Sequence, residues 1–150
     1  EGRGAGASQL RCAGPGVVGG GATPAWVGRS AVWLGRCGGP VGADRVRAAR
    51  DIALTLGRDV VLKGDATVVV GPEGPARINS TGSAVLATAG SGDVLAGGVG
   101  ALLAQGLDIL DAGSVGAHLH GRAGSLALTP TSGGILRAWP AAVRAVRAGH

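Results

Sequence analysis

The 150-residue chain contains no Phe, no Tyr, no Met and only three Trp, although 45% of it is apolar. Any core must therefore be built from Val, Leu, Ile and Ala, packed tightly rather than around aromatic anchors. A chain of this length buries roughly 68–70% of its unfolded surface, so one domain with a real core is expected. Gly fills 31 positions, about three times the usual ~7%. No Gly-X-Y period runs through them, which excludes a collagen. No apolar run reaches the ~18 residues of a membrane span, and no charged-then-apolar leader is visible at Glu1. Cys12 and Cys37 are too few and too far apart for a disulfide framework or a zinc site. A soluble cytoplasmic protein without a membrane partner is the expectation.

The formal charge is +5, and 13 of the 14 basic residues are Arg; Lys63 is the only lysine. Nucleic-acid binders cluster their bases on one element, often between aromatics. Here Arg is scattered and aromatics are scarce, which fits a GC-rich coding bias better than a nucleic-acid partner.

The chain divides near residue 42. Residues 1–42 hold 13 Gly, both Cys and two of the three Trp, with Glu1 as their only acid. They show no alternating strand pattern and no helical stripe longer than a turn. A low-complexity linker is one reading, although such segments avoid Trp and Cys. Disorder, or a stretch translated in the wrong frame, are the others.

From residue 43 the order is α, β, β, β, α, α, α. Asp44 suits an N-cap, with Val46, Ala49, Ile52, Ala53 and Leu56 on one face and Gly57 closing the helix. Asp59–Lys63 and Thr67–Val70 read as buried strands, and Gly71-Pro-Glu-Gly74 as a turn into a third strand at Ala76–Ile78. Residues 80–92 are a loop of small and polar residues. Asp93–Gln105 is helical, and Asp111 to about Leu128 follows with Val115, Leu119, Ala123 and Leu126 as its inner face. The last helix spans about Gly133–Arg147 and is interrupted near Pro140. An α/β sheet covered by helices is the natural packing.

Chemistry concentrates in Ala87-Thr-Ala-Gly-Ser-Gly-Asp-Val-Leu95. Unpaired N–H groups at a helix start favour an anion, and Gly90 and Gly92 let the backbone approach a phosphate closely. Asp93 would repel that anion unless it has a task, such as taking a proton from a hydroxyl while the N–H groups stabilise a phosphoryl group. A first-turn acid or N-cap explains Asp93 equally well. Upstream, Leu62-Lys-Gly-Asp-Ala-Thr67 follows a buried strand, where open α/β sheets place ligands. Lys63 suits a nucleotide's phosphates, and a solvated hairpin residue is its plain alternative. His118 and His120 are two apart, so on a helix they face different ways and share no metal easily. Asp108 and Asp111 read as caps, and Arg137, Arg144 and Arg147 as a solvated face.

Val61-Leu-Lys-Gly64, Asn79-Ser-Thr-Gly82, Leu86-Ala-Thr-Ala-Gly-Ser-Gly-Asp-Val-Leu-Ala-Gly97, Leu102-Leu-Ala-Gln-Gly-Leu107 and His120-Gly-Arg-Ala-Gly124 occur in one order and spacing. In these the chain resembles the ADP/ATP-dependent NAD(P)H-hydrate dehydratases of the ribokinase-like superfamily, over about residues 41–148. The resemblance implies the C-terminal half of such a domain at 43–150, and a homo-oligomer when complete. It implies a metabolite-repair lyase that uses ADP or ATP, with Mg²⁺ carried by the nucleotide, to dehydrate the S epimer of hydrated NADH or NADPH. Carried over, Lys63, Gly64, Asp65, Ala66 and Thr67 line the nucleotide site and Gly92 touches the nucleotide. The backbone of Ala89, Gly90, Ser91 and Gly92 becomes the anion hole, and Asp93 meets the hydrate as base. The family also has a Thr-Pro-His-Pro-Gly-Glu type motif; here that stretch reads Thr23-Pro-Ala-Trp-Val-Gly-Arg29, without the His and Glu. A ribokinase-like small-molecule kinase and a non-catalytic remnant are the competing readings.

Overall fold

Val60, Val61 and Leu62, and Val68, Val69 and Val70, are all at most 1% exposed, so the strands they form must be covered on both faces. The computed structural model describes residues 9–12, 31–35, 44–64 and 66–149. Five strands form one sheet in chain order: β1 (Gln9–Cys12), β2 (Ala31–Gly35), β3 (Val60–Leu62), β4 (Thr67–Val70) and β5 (Arg77–Asn79). β1, β2 and β3 run parallel, whereas β3, β4 and β5 are antiparallel. The helix between β2 and β3, α1 (Arg45–Leu56), is the crossover that parallel neighbours require.

Pleating sorts the strand residues into two cores. Val60, Leu62, Val68 and Val70 meet Ala49 and Ala53 of α1 on one face. Val61 and Val69 meet Leu95, Ala96 and Val99 of α2 (Ser91–Ala104) and Ala112 of α3 (Ile109–Leu126) on the other. A third cluster lies between helices, where Leu119 and Ala123 of α3 pack on Ile135 and Ala142 of α4 (Ser132–Arg147).

The helix ends follow their sequence signals. The Asp44 carboxylate accepts the Arg47 N–H at 2.9 Å, and Gly57 ends α1 in the left-handed region at φ +60°. The Asp108 carboxylate caps α3 by accepting the Asp111 N–H at 2.8 Å. Asp111 itself makes an ion pair with Arg77 on β5 rather than a cap.

Three expectations need correction. Residues 1–42 contain β1 and β2, strands too glycine-rich in their surroundings to stand out by pattern; the Thr23–Arg29 stretch lies outside the described residues. α3 does not bury Val115 or Leu126, which are 39% and 44% exposed. Its buried face includes Gly113, Gly116, Gly121 and Gly124, because only small residues fit there. α4 runs through Pro140 without a break. Pro140 is exposed, so its ring and the hydrogen bond it removes fall on the solvent side, where water can take over.

α3 thus yields a paired prediction. A Cβ at Gly121 would overlap Thr81, both at its hydroxyl and at its carbonyl, whereas one at Gly97 on α2 would meet nothing within 4 Å. Gly121→Ala is expected to destabilise the chain by roughly 1–3 kcal/mol or more through overpacking. Gly97→Ala is expected to stabilise it by about 0.5–1 kcal/mol through helix propensity. Denaturant midpoints of the two variants check this.

Candidate phosphate site at the β3 and α2 ends

Lys63 emerges half-buried from the carboxyl end of β3. Its carbonyl accepts the Arg45 guanidinium at 2.9 Å, and that guanidinium lies so close over Gly64 that any Cβ there would overlap it. Arg45 thereby pins the turn that aims Lys63. Thr67, 8% exposed, opens β4, with Ala66 half-buried before it; Asp65 lies outside the described residues.

The second part is the start of α2. A 3₁₀ turn (Ala84–Ala87) leads into Gly90, the N-cap, at φ +79°. Ser91 is 3% exposed; its hydroxyl donates to the Leu86 carbonyl at 2.6 Å and its N–H to the Thr88 carbonyl at 3.3 Å. Among the described residues, the N–H groups of Ala89, Gly90 and Gly92 have no protein acceptor. α2 begins at Ser91 rather than at Asp93, so Asp93 sits in the first turn and is not the cap. Its carboxylate is exposed and, among the described residues, accepts no hydrogen bond.

The fold brings the two parts together. The Lys63 ammonium lies 3.4 Å from where a Gly92 Cβ would stand. Around Gly90, the equivalent position is 3.1 Å from Ser132 Oγ and 3.9 Å from Asp93 Oδ2. One cation, three donor N–H groups, a hydroxyl and a carboxylate therefore surround a stretch of backbone without side chains. Such a set can hold an anion and keep a base beside it.

Two residues here escaped the sequence reading. Ser132, the first residue of α4, stands just before the helix expected at Gly133–Arg147, and nothing local links it to Gly90. His120 was weighed as a metal ligand and set aside. It lies buried, 3% exposed, with the Trp139 ring 6.4 Å away and tilted by 48°. Burial, then the nearby Lys63 cation, lower its pKa from 6.5 to about 4, against a smaller raising effect of the Ser91 backbone. His118, by contrast, lines a separate shallow cavity with Arg77, Asn79 and Ser114.

Together the sheet and its helices define an α/β protein of the ribokinase-like class. Residues 31–137 match the model of the Carb_kinase family, described as NAD(P)H-hydrate dehydratase. The chain belongs to that family. It is similar to YxkO of Bacillus subtilis, a UPF0031 family member, at 27% identity and a TM-score of 0.68, over 81% of this chain and 51% of that one. It is also similar to the ADP/ATP-dependent NAD(P)H-hydrate dehydratase of Bacillus subtilis co-crystallized with ATP/Mg²⁺, at 25% identity and a TM-score of 0.67, over 77% and 47% of the two chains. The Streptococcus mutans protein SMU.573 shares the fold at 21% identity and a TM-score of 0.60. The chain spans about half the length of these solved structures. No curated protein gave a significant match. Among the described residues, no helix is long and apolar enough to cross a membrane.

The state of His120 carries a consequence for stability. Its pKa is lower in the folded chain than the 6.5 of an unfolded one, so protonation favours unfolding. The contribution is complete above pH 6.5 and is lost as pH falls through about 4, a difference of about 3 kcal/mol at most. His120→Gln removes that titration, and its acid-unfolding curve is expected to be flatter over this window.

Proposed function

We propose that this chain supplies the nucleotide-binding and phosphoryl-transfer half of an ADP- or ATP-dependent NAD(P)H-hydrate dehydratase. The observation that carries this is the meeting of Lys63 with Gly92 beside an unpaired, exposed Asp93. Family membership and the ATP/Mg²⁺ co-crystallized relative support the choice of ligand.

In this reading the hairpin of Lys63, Gly64, Asp65, Ala66 and Thr67 lines the nucleotide, with Gly92 against its phosphates. Gly92 leaves room for it, since it carries no side chain, whereas the space beside Gly64 is taken by the Arg45 guanidinium. Mg²⁺ would arrive on the phosphates and spread their charge. Among the described residues, no three His, Cys, Asp or Glu side chains gather to hold a metal independently.

The substrate is the S epimer of hydrated NADH or NADPH. Asp93 takes the proton of its ring hydroxyl, and the hydroxyl oxygen forms a bond to the terminal phosphorus of the nucleotide. The bond from that phosphorus to its bridging oxygen breaks, and the shortened nucleotide leaves with the electron pair. Lys63 and the N–H groups of Ala89, Gly90 and Gly92 stabilise the charge on the transferred group. Loss of phosphate from the ring carbon, with a proton from the adjacent carbon, restores the double bond. The Ser91 N–H, though within the expected anion hole, is already given to Thr88, so its part is to fix the loop.

The direct test incubates a complete form of the domain, with this chain as its C-terminal half, with hydrated NADH and either ADP or ATP with Mg²⁺. Recovery of NADH with matching release of phosphate is the expected result. Consumption of nucleotide only with an added vitamin-precursor alcohol would favour a small-molecule kinase instead. Asp93→Asn is expected to lower kcat at least ~100-fold, while nucleotide affinity is unchanged or tighter because a carboxylate near phosphate is gone. Normal turnover by this variant would reduce Asp93 to a first-turn acid.

A further inference from the structure

Gly64 follows Lys63 in the turn after β3, yet its backbone does not call for glycine. Unlike Gly57 or Gly90, it is not among the glycines with positive φ, so φ alone would not strain an alanine there. What takes the place of its missing side chain is the end of Arg45. A Cβ on Gly64 would stand 2.5 Å from Arg45 Cζ and 2.6 Å from Nη1, well inside the ~3.5–4.0 Å of ordinary contact.

Arg45 in turn finds its partners only at that turn. It opens α1, where the helix dipole disfavours a cation and the first turn holds no acid. The neighbouring Asp44 carboxylate is given to the Arg47 N–H. Among the described residues no carboxylate pairs with Arg45, and its Nε is buried without a partner. Its Nη2 donates to the Lys63 carbonyl at 2.9 Å, with the Leu62 carbonyl further off at 3.5 Å. Leu62 is the last residue of β3 and pairs with Gly35 and Val68. Lys63 lies past both ladders, so its carbonyl takes a side-chain donor where the sheet no longer offers one. The ammonium of the same residue lies 3.4 Å from the Cβ position of Gly92. Lys63 thus meets Arg45 with its backbone and the start of α2 with its side chain.

We propose that Gly64 is bare to admit Arg45 rather than the nucleotide, and that Arg45 is a positioning residue. Its hold on the Lys63 carbonyl fixes the peptide from which the lysine side chain reaches Gly92. A flat guanidinium suits the task, since it lies over a bare residue and keeps its fork of donors. The inference rests on the nucleotide-site reading for its effect on ADP, but not for the contact itself.

The test uses a complete form of the domain containing this chain, with Arg45→Met, Gly64→Ala and the double variant. A guanidinium is the far end of a flexible side chain, so an alanine at 64 displaces it without unfolding the chain. ADP affinity, read by calorimetry, is expected to weaken about five- to tenfold in each single variant, the worth of one hydrogen bond. The double variant should stay within about twofold of Arg45→Met, because its added methyl enters vacated space. Arg45→Lys should fall between Arg45→Met and the parent. The KM for ADP should rise while that for the hydrate is unchanged, a split that lost fold stability would not produce. Losses that multiply in the double variant would mean that Gly64 makes room for the nucleotide, and they overturn the proposal. Unaltered ADP affinity in both single variants does so too.

Hydrogen exchange over residues 61–67 without nucleotide reads the clamp directly. Corrected for the substituted residue, it should quicken at least about threefold in both single variants. Should Arg45→Met not fold, Gly64→Ala decides alone: unchanged exchange there overturns the proposal. Quickened exchange in a domain that never binds ADP supports the clamp and overturns the nucleotide reading instead.

Discussion

The site depends on how closely helices can approach the sheet and each other, and small residues decide that distance. A Cβ at Gly113 would stand 3.0 Å from Val61 and one at Gly116 would stand 2.6 Å from Val99. α3 therefore lies almost backbone-to-side-chain against the strands and α2. That closeness carries its His118–Gly121 segment to the loop after β5, where the Thr81 hydroxyl donates to the His118 carbonyl at 3.0 Å. It also puts His120 behind the first turn of α2. Bulkier helices would stand further off, as side chains in a close-packed interior cannot overlap. The absence of Phe, Tyr and Met is the same constraint seen in composition.

Sequence patterns made the centre of the fold legible because its forces are local. Val60–Leu62 and Thr67–Val70 are β-branched, apolar and short, and each is flanked by turn residues, so nothing competes with a buried strand. Asp44 and Gly57 announce both ends of α1 by chemistry that acts within four residues. The failures have the opposite character. β1 and β2 are strands because β3 pairs with β2 and β2 with β1, a long-range cause with no local periodicity. The buried face of α3 was half placed: Leu119 and Ala123 are buried as expected, but following the larger side chains put Val115 and Leu126 there as well. Val115 and Leu126 are apolar, but the tight approach selects glycine and alanine instead.

The same division runs through the site. Lys63, Gly90, Gly92 and Asp93 could be picked out as candidates because a strand end and a helix start each carry their chemistry in a few consecutive residues. What pattern could not supply was the division of labour inside the loop. Ser91 spends both its hydroxyl and its N–H on the preceding turn, so it acts as a brace while its neighbours keep free donors. Ser132 and His120 come from α4 and α3, and only tertiary packing brings them near Gly90 and Ser91. A buried histidine with an orphaned nitrogen is recognisable only when burial is known.

Exposure gives the site a direction. Lys63 is half-buried, held from the sheet side by the Arg45 contact to its carbonyl, whereas Asp93 is exposed. Gly90 and Gly92 lie between them on the helix start. A phosphate chain entering along the β3 end would have its charge met by Lys63 and the N–H groups, in surroundings of lower dielectric where those contacts are strongest. Asp93, the proposed base, meets solvent, where a hydroxyl-bearing partner could reach it and where its own charge would be least repelled by the phosphate. Placing Asp93 on the sheet side would reverse both effects, weakening the anion site and burying an unpaired carboxylate. In the proposed reading the two glycines therefore do more than make room: they lie between the cation that would bind phosphate and the carboxylate that would act as base.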